Sequence, residues 1–110
     1  MVPMDVVQRQ LDAYNDHDLA AFLETYDDAA VLYSMPGEKV MAQGKESIAQ
    51  LYSQRVFSVP DHRAELLGRF VMGDTVVAHE RVYGLGQGSF EAIAVYAVKS
   101  GRIRTVWLFR

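Results

Sequence analysis

Residues 63–110 read RAELLGRFVM-GD-TVVAHERVYGL-GQG-SFEAIAVYAVK-SG-RIRTVWLFR, and this stretch decides the fold. Four extended runs, Arg63 to Met72, Thr75 to Leu85, Ser89 to Lys99 and Arg102 to Arg110, are rich in β-branched and aromatic residues. Gly73-Asp74, Gly86-Gln87-Gly88 and Ser100-Gly101 separate them, all compact turn chemistry. A parallel crossover needs about a dozen residues or more, so connections this short dictate an antiparallel meander. One face of such a sheet has to be covered.

The cover lies in the preceding half. From Val6 to Asn15 the apolar residues Val7, Leu11 and Tyr14 recur on one helical face. Asp16-His17-Asp18 interrupts that helix, and Asp18 is placed to cap a second one running through Thr25, with Leu19, Phe22, Leu23 and Tyr26 inward. Ala30 to Met35 reads as a strand, Pro36-Gly37 as a turn and Lys39 to Ala42 as a short return strand. Lys45 to Arg55 reads as a third helix with Ile48, Leu51 and Tyr52 on one stripe, and Pro60 closes that region. The fold class is α+β: a curved sheet under three helices, in one domain over residues 1–110.

Composition bounds the function. Half of the 110 residues are apolar, and the formal charge is only −3. The sole locally basic stretch, Arg102 to Arg110, alternates with apolar residues as a strand does, so nucleic-acid binding, which needs a concentrated basic face, is not expected. With no cysteine, a disulfide framework and a thiolate metal site are excluded. No apolar run approaches the ~20 residues of a membrane span. Met1 to Asp5 lacks the regions of a signal peptide, so no membrane role and a cytoplasmic location are expected.

The order helix–helix–strand–strand–helix followed by a four-strand meander resembles the nuclear transport factor 2-like superfamily, a cystatin-like roll. Local sequence carries the same resemblance. Val6-Val7-Gln8-Arg9, Tyr14-Asn15-Asp16-His17-Asp18-Leu19 and Tyr26-Asp27-Asp28-Ala29 look like the opening of ketosteroid isomerases and SnoaL-like polyketide cyclases. Gly44-Lys45-Glu46-Ser47-Ile48 and Gly101-Arg102-Ile103 match their third-helix start and last turn. The resemblance implies a cone-shaped cavity for a small, mostly apolar molecule, no cofactor, and pairing of two copies through the outer sheet face. It covers nearly the whole chain, yet the isomerase catalytic positions depart from it. The oxyanion tyrosine falls on Gln10, with Tyr14 one turn further along. The catalytic carboxylate falls on Ser34 (or Tyr33), and the protonated aspartate on Ala94 (or Ile93 or Val95). Tyr26 and Tyr52 match positions that in that family carry aromatic residues lining the pocket.

The remaining polar chemistry lies in Ala78-His79-Glu80-Arg81. Successive strand residues face opposite sides, so His79 and Glu80 cannot both enter the cavity. Pairing Met72 with Thr75 places Glu65, Leu67 and Arg69 with Glu80, and Leu66, Gly68 and Phe70 with His79. Carrying the register onward adds Phe90, Ala92, Ala94, Tyr96, Thr105, Trp107 and Phe109 to the Glu80 face. The His79 face receives Glu91, Ile93, Val95, Arg104, Val106, Leu108 and Arg110. Burying charge is costly, and the Glu80 face carries less of it, which favours Glu80 inward. A bulge at Gly68 would invert that choice for the first strand.

Inward, Glu80 lies diagonal to Arg69, either as an acid–base carboxylate or as half of a structural bridge. Tyr14, Tyr52 or Tyr96 would donate to an enolate or alkoxide. With the opposite facing, His79 becomes the candidate base. The candidate catalytic set is therefore Glu80, His79 and Arg69, with Tyr14, Tyr26, Ser34, Tyr52, Tyr96 and Trp107 as candidate ligand-binding residues. His17 reads as a solvated corner residue, and His62 as a loop residue overhanging the mouth. The histidine spacing suits no zinc site, and Gly84, Gly86 and Gly88 surround a hairpin turn with no helix after it, unlike a phosphate loop. Two functions follow: cofactor-free acid–base isomerisation, cyclisation or hydration, or a non-catalytic homodimeric ligand-binding module.

Overall fold

A computed structural model describes residues 2–86 and 88–110. Gln87, at the centre of the expected Gly86-Gln87-Gly88 turn, and Met1 lie outside the described residues. Helix α1 spans Pro3–Asn15, three residues earlier than the periodicity alone implies, because Pro3 at the first helical turn is pre-set for it. It buries Val6, Val7, Gln10, Leu11, Ala13 and Tyr14. Asp18 caps α2, Leu19–Glu24, by accepting from the Ala21 amide at 3.0 Å. Helix α3 spans Lys45–Arg55.

Strand β1 runs Tyr26–Met35 and β2 Lys39–Gln43. The meander consists of β3 (Arg63–Met72), β4 (Thr75–Tyr83), β5 (Ser89–Lys99) and β6 (Arg102–Phe109). One six-stranded mixed sheet results, in the order β2-β1-β6-β5-β4-β3, with β1 and β6 parallel and every other neighbouring pair antiparallel. The nuclear transport factor 2-like roll is thus present, α+β with three helices over a curved sheet. β1 starts four residues before the expected Ala30. The Ile103 amide donates to the Thr25 carbonyl at 2.8 Å, and this long-range bond draws Tyr26 out of the helix and beside Ile103.

Between helices and sheet lies one core cluster whose fully buried members include Val6, Phe22, Leu32, Ile48, Ile103 and Val106. Each such side chain contributes about 1.5–3 kcal/mol by leaving water. Among the described residues no helix is long and apolar enough to cross a membrane.

Two bulges change which residues face this core. In β3, Leu66 pairs with Glu80 and Gly68 with His79, leaving Leu67 as the extra residue. Arg69 therefore stays on the Glu80 face, while Leu66 and Ala64 turn inward and Glu65 outward, opposite to the simple alternation. Glu65 accepts instead from the Tyr83 hydroxyl at 3.0 Å. In β6, Ile103 pairs with Val98 and Thr105 with Ala97, so Arg104 is extra. Beyond it the faces swap: Val106 and Leu108 point inward, whereas Thr105, Trp107 and Phe109 point outward.

Candidate functional site

The open end of the cone holds a cavity of about 460 Å³, in the range of pockets for small organic molecules. Its apolar wall includes Leu11, Leu51, Val56, Val82, Phe90 and Leu108. Gln10, Tyr14, Ser34, Tyr52, Arg55, Glu80, Tyr96 and Arg110 supply the polar groups. Glu80 is the only carboxylate among them.

Glu80 stands in the middle of β4, between Leu66 on β3 and Ala92 on β5. Burial against these apolar neighbours penalises its charged form and raises its pKa to about 7, with Arg69 pulling the other way. The two form no ion pair. Arg69 instead runs beneath α1 and donates through Nη2 to Gln8 Oε1 at 2.7 Å, so the expected bridge is replaced by a contact to the helix. Its buried Nε has no hydrogen-bond partner among the described residues, and the side chain does not line the cavity.

Three tyrosines face the same hollow. Burial pushes the Tyr14, Tyr52 and Tyr96 hydroxyls upward, Tyr52 to about 12, and the nearby Glu80 carboxyl adds to each rise. All three therefore keep their protons at any physiological pH and serve as donors. Gln10, at the position of the absent isomerase tyrosine, donates to the Tyr26 hydroxyl at 3.1 Å.

The structure brings Glu80, Tyr14, Ser34, Tyr52 and Tyr96 to one cavity, and it separates the other candidates from it. Tyr26 is fully buried behind Gln10, because it belongs to β1 rather than to the end of α2. Trp107 lies on the outer face, turned away by the Arg104 bulge and stacked on Tyr33 with centroids 6.3 Å apart. His79 also faces outward, as strand alternation requires once Glu80 is inside. Its Nε2 lies 2.6 Å from Glu91 Oε1, and that hydrogen bond lowers the pKa of Glu91.

His62 does not overhang the mouth. It is buried, with ring nitrogens 2.9 Å from the Val59 carbonyl and 2.8 Å from the Tyr14 carbonyl. Exposed His17 is not merely solvated, since its ring stacks on His62 at 3.8 Å.

Three polar lining residues lie outside the expected set, Gln10, Arg55 and Arg110. Arg55 continues the Ile48, Leu51, Tyr52 stripe of α3 by one turn, a signal that was legible in the spacing. Arg110 enters only because the β6 bulge swaps its face, and no local signal marks that bulge.

Fold and site together define a class of protein: a cone of curved sheet and three helices enclosing a small-molecule-sized hollow. The chain belongs to the SnoaL-like domain family, whose model matches residues 7–106. A cystatin-fold protein from Novosphingobium aromaticivorans superposes with a TM-score of 0.90 at 21% identity, covering 100% of this chain and 99% of that one. A candidate polyketide cyclase from Sinorhizobium meliloti gives 0.82 at 25% identity, over 98% and 99% of the two chains. A candidate ketosteroid isomerase from Kribbella flavida gives 0.84 at 12%, over 97% and 76%. No curated protein matches the sequence.

Proposed function

We propose that the cavity encloses a small, mostly apolar molecule and moves a proton on it without a cofactor, in an isomerisation, cyclisation or hydration. The observation that carries this reading is Glu80, a lone carboxylate with pKa about 7 facing a pocket that also presents tyrosine donors. A base poised near the working pH is present in its ionised form without being too weak to take a proton. Glu80 would accept a proton from a carbon beside a carbonyl, and the C–H electron pair would move onto the carbonyl oxygen. Tyr14, Tyr52 or Tyr96 would donate to that enolate oxygen. Return of the proton to a second carbon regenerates the carboxylate. The likeness to the candidate cyclase and candidate isomerase supports the reaction class, although Gln10, Ser34 and Ala94 replace the familiar isomerase groups.

The test is turnover of a panel of ketones, epoxides and polyketides. Glu80→Gln is expected to lower kcat by about 10²–10⁴-fold. His79→Ala, altering the outer face alone, is expected to leave it unchanged. Full activity of Glu80→Gln would sink the proposal.

A specific observation favours a second reading, a homodimeric ligand-binding module. Phe70 and Met72 are 76% and 80% exposed, and the outer sheet face adjoining them carries Ile93 and Phe109. Such an apolar patch, bordered by the charged His79, Arg81 and Glu91 cluster, suits a second copy. Ligand-induced thermal stabilisation without turnover, with a sedimentation mass of two chains, is its signature.

A further inference from the structure

The chain is acidic overall, with 14 acidic residues against 11 Lys and Arg, but its cavity is not. The charged side chains of the lining are those of Arg55, Arg110 and Glu80, two cations to one acid. When Glu80 takes up its proton, Arg55 and Arg110 are the charged side chains left in the lining. Low-dielectric walls concentrate their field on whatever enters.

Two arginines of the outer face are matched to acids, Arg81 to Glu91 at 3.6 Å and Arg104 to Asp27 at 3.9 Å, whereas Arg69 is held by Gln8 and Arg63 lies over the Tyr83 ring. Arg55 and Arg110 form no ion pair with an acidic side chain among the described residues. Both are exposed yet line the cavity, which puts them at its rim. Tyr14 and Tyr96 are buried within it. The Arg110 guanidinium lies over the Phe90 ring, 5.1 Å from its centroid, which holds the charge against the pocket wall. Arg110 also lowers the pKa values of Tyr14 and Tyr52, so its field reaches the interior donors.

We propose that the ligand is an organic acid whose apolar body fills the interior and whose carboxylate lies at the rim between Arg55 and Arg110. A guanidinium fork matches a carboxylate in geometry and charge, and two of them outside any such ion pair leave a site that a single anionic end completes. This orientation leaves the opposite end of the molecule to Glu80 and the tyrosines. The inference rests on the pocket being a small-molecule site and narrows the class of molecule it takes.

Calorimetric titration with naphthoate and with its neutral counterpart naphthamide tests it, on the wild type and on the Arg55→Gln/Arg110→Gln double variant. Both side chains are exposed, and circular dichroism verifies that the variant is folded. Naphthoate is expected to bind the wild type about tenfold more tightly than naphthamide. The double variant is expected to lose that preference while holding naphthamide as before. Equal binding of the two probes to the wild type overturns the acid assignment and leaves the pocket reading standing. A preference that survives in the double variant overturns the role of the two arginines. Naphthyl phosphate binding more tightly than naphthoate overturns the choice of carboxylate. Failure of every probe to bind removes both the inference and the pocket reading beneath it.

Discussion

Asn15 grips the backbone of Ala64 from both sides: Nδ2 donates to the Ala64 carbonyl at 2.9 Å, and Oδ1 accepts from the Ala64 amide at 2.8 Å. The last residue of α1 thereby acts as a strand partner for the start of β3, 49 positions away. Asn15→Ala leaves both backbone groups without that partner and is expected to cost about 1–3 kcal/mol in urea unfolding. Asn15→Asp keeps the acceptor but sets an oxygen against the Ala64 carbonyl, so it should be no less damaging. Wild-type stability in both variants would show that the clamp contributes nothing.

Glu80 ties stability to pH. Its folded-state pKa, about 7, lies above the ordinary 4.5, so the native state holds this proton more tightly than the unfolded chain. The stabilising linkage is complete below pH 4.5 and is lost as pH rises to about 7, a difference of up to about 3 kcal/mol. Glu80→Gln removes the titrating group. Its melting temperature relative to wild type should therefore climb between pH 5 and pH 8. Parallel melting curves across that range would contradict the burial of this carboxyl.

The same ionisation sets the direction of the pH–rate profile. A base must be ionised to accept a proton, so kcat/KM on any accepted substrate should rise with pH through about 7. The tyrosine donors, raised by burial, add no falling limb near neutrality. A rate that falls over this interval would assign Glu80 the role of acid.

Gly84 is pressed against the loop that carries His62. A Cβ there would stand 2.5 Å from the Asp61 carbonyl oxygen and 2.8 Å from the His62 amide nitrogen, at a φ of +86°. Backbone cannot yield as a flexible side chain can, so Gly84→Ala is expected to cost about 3 kcal/mol or more. It should also disturb His62 and the Tyr14 carbonyl it touches, visible as an altered near-ultraviolet dichroism. An unchanged urea midpoint would count against this packing.

Trp107, the single tryptophan, reports on the outer face and not on the cavity. A non-absorbing ligand bound inside should leave its emission maximum in place, and Trp107→Phe should leave pocket affinity unaltered. Association of two copies through the sheet should shift that emission with protein concentration. Emission that instead follows ligand would put Trp107 back in the pocket.

Much of this molecule is legible in local patterns. Turn residues at Gly73-Asp74 and Ser100-Gly101 leave only a meander, Asp18 announces the start of α2, and strand alternation alone forbids His79 and Glu80 from sharing a face. These depend on neighbours in sequence, whose geometry is set by covalent structure and short-range hydrogen bonding. Side-chain direction along a strand accumulates from residue to residue, however, and one extra residue reverses everything after it. The Leu67 and Arg104 bulges do this, turning Leu66 and Arg110 inward and Trp107 outward. Tyr26 likewise left its helical pattern for a parallel pairing with Ile103, a partner 77 residues distant by the numbering. The burial that shifts Glu80, and the lining of one cavity by Glu80, Arg55 and Arg110, depend on β4, α3 and the end of β6 meeting. Only the closed sheet decides which of them meet.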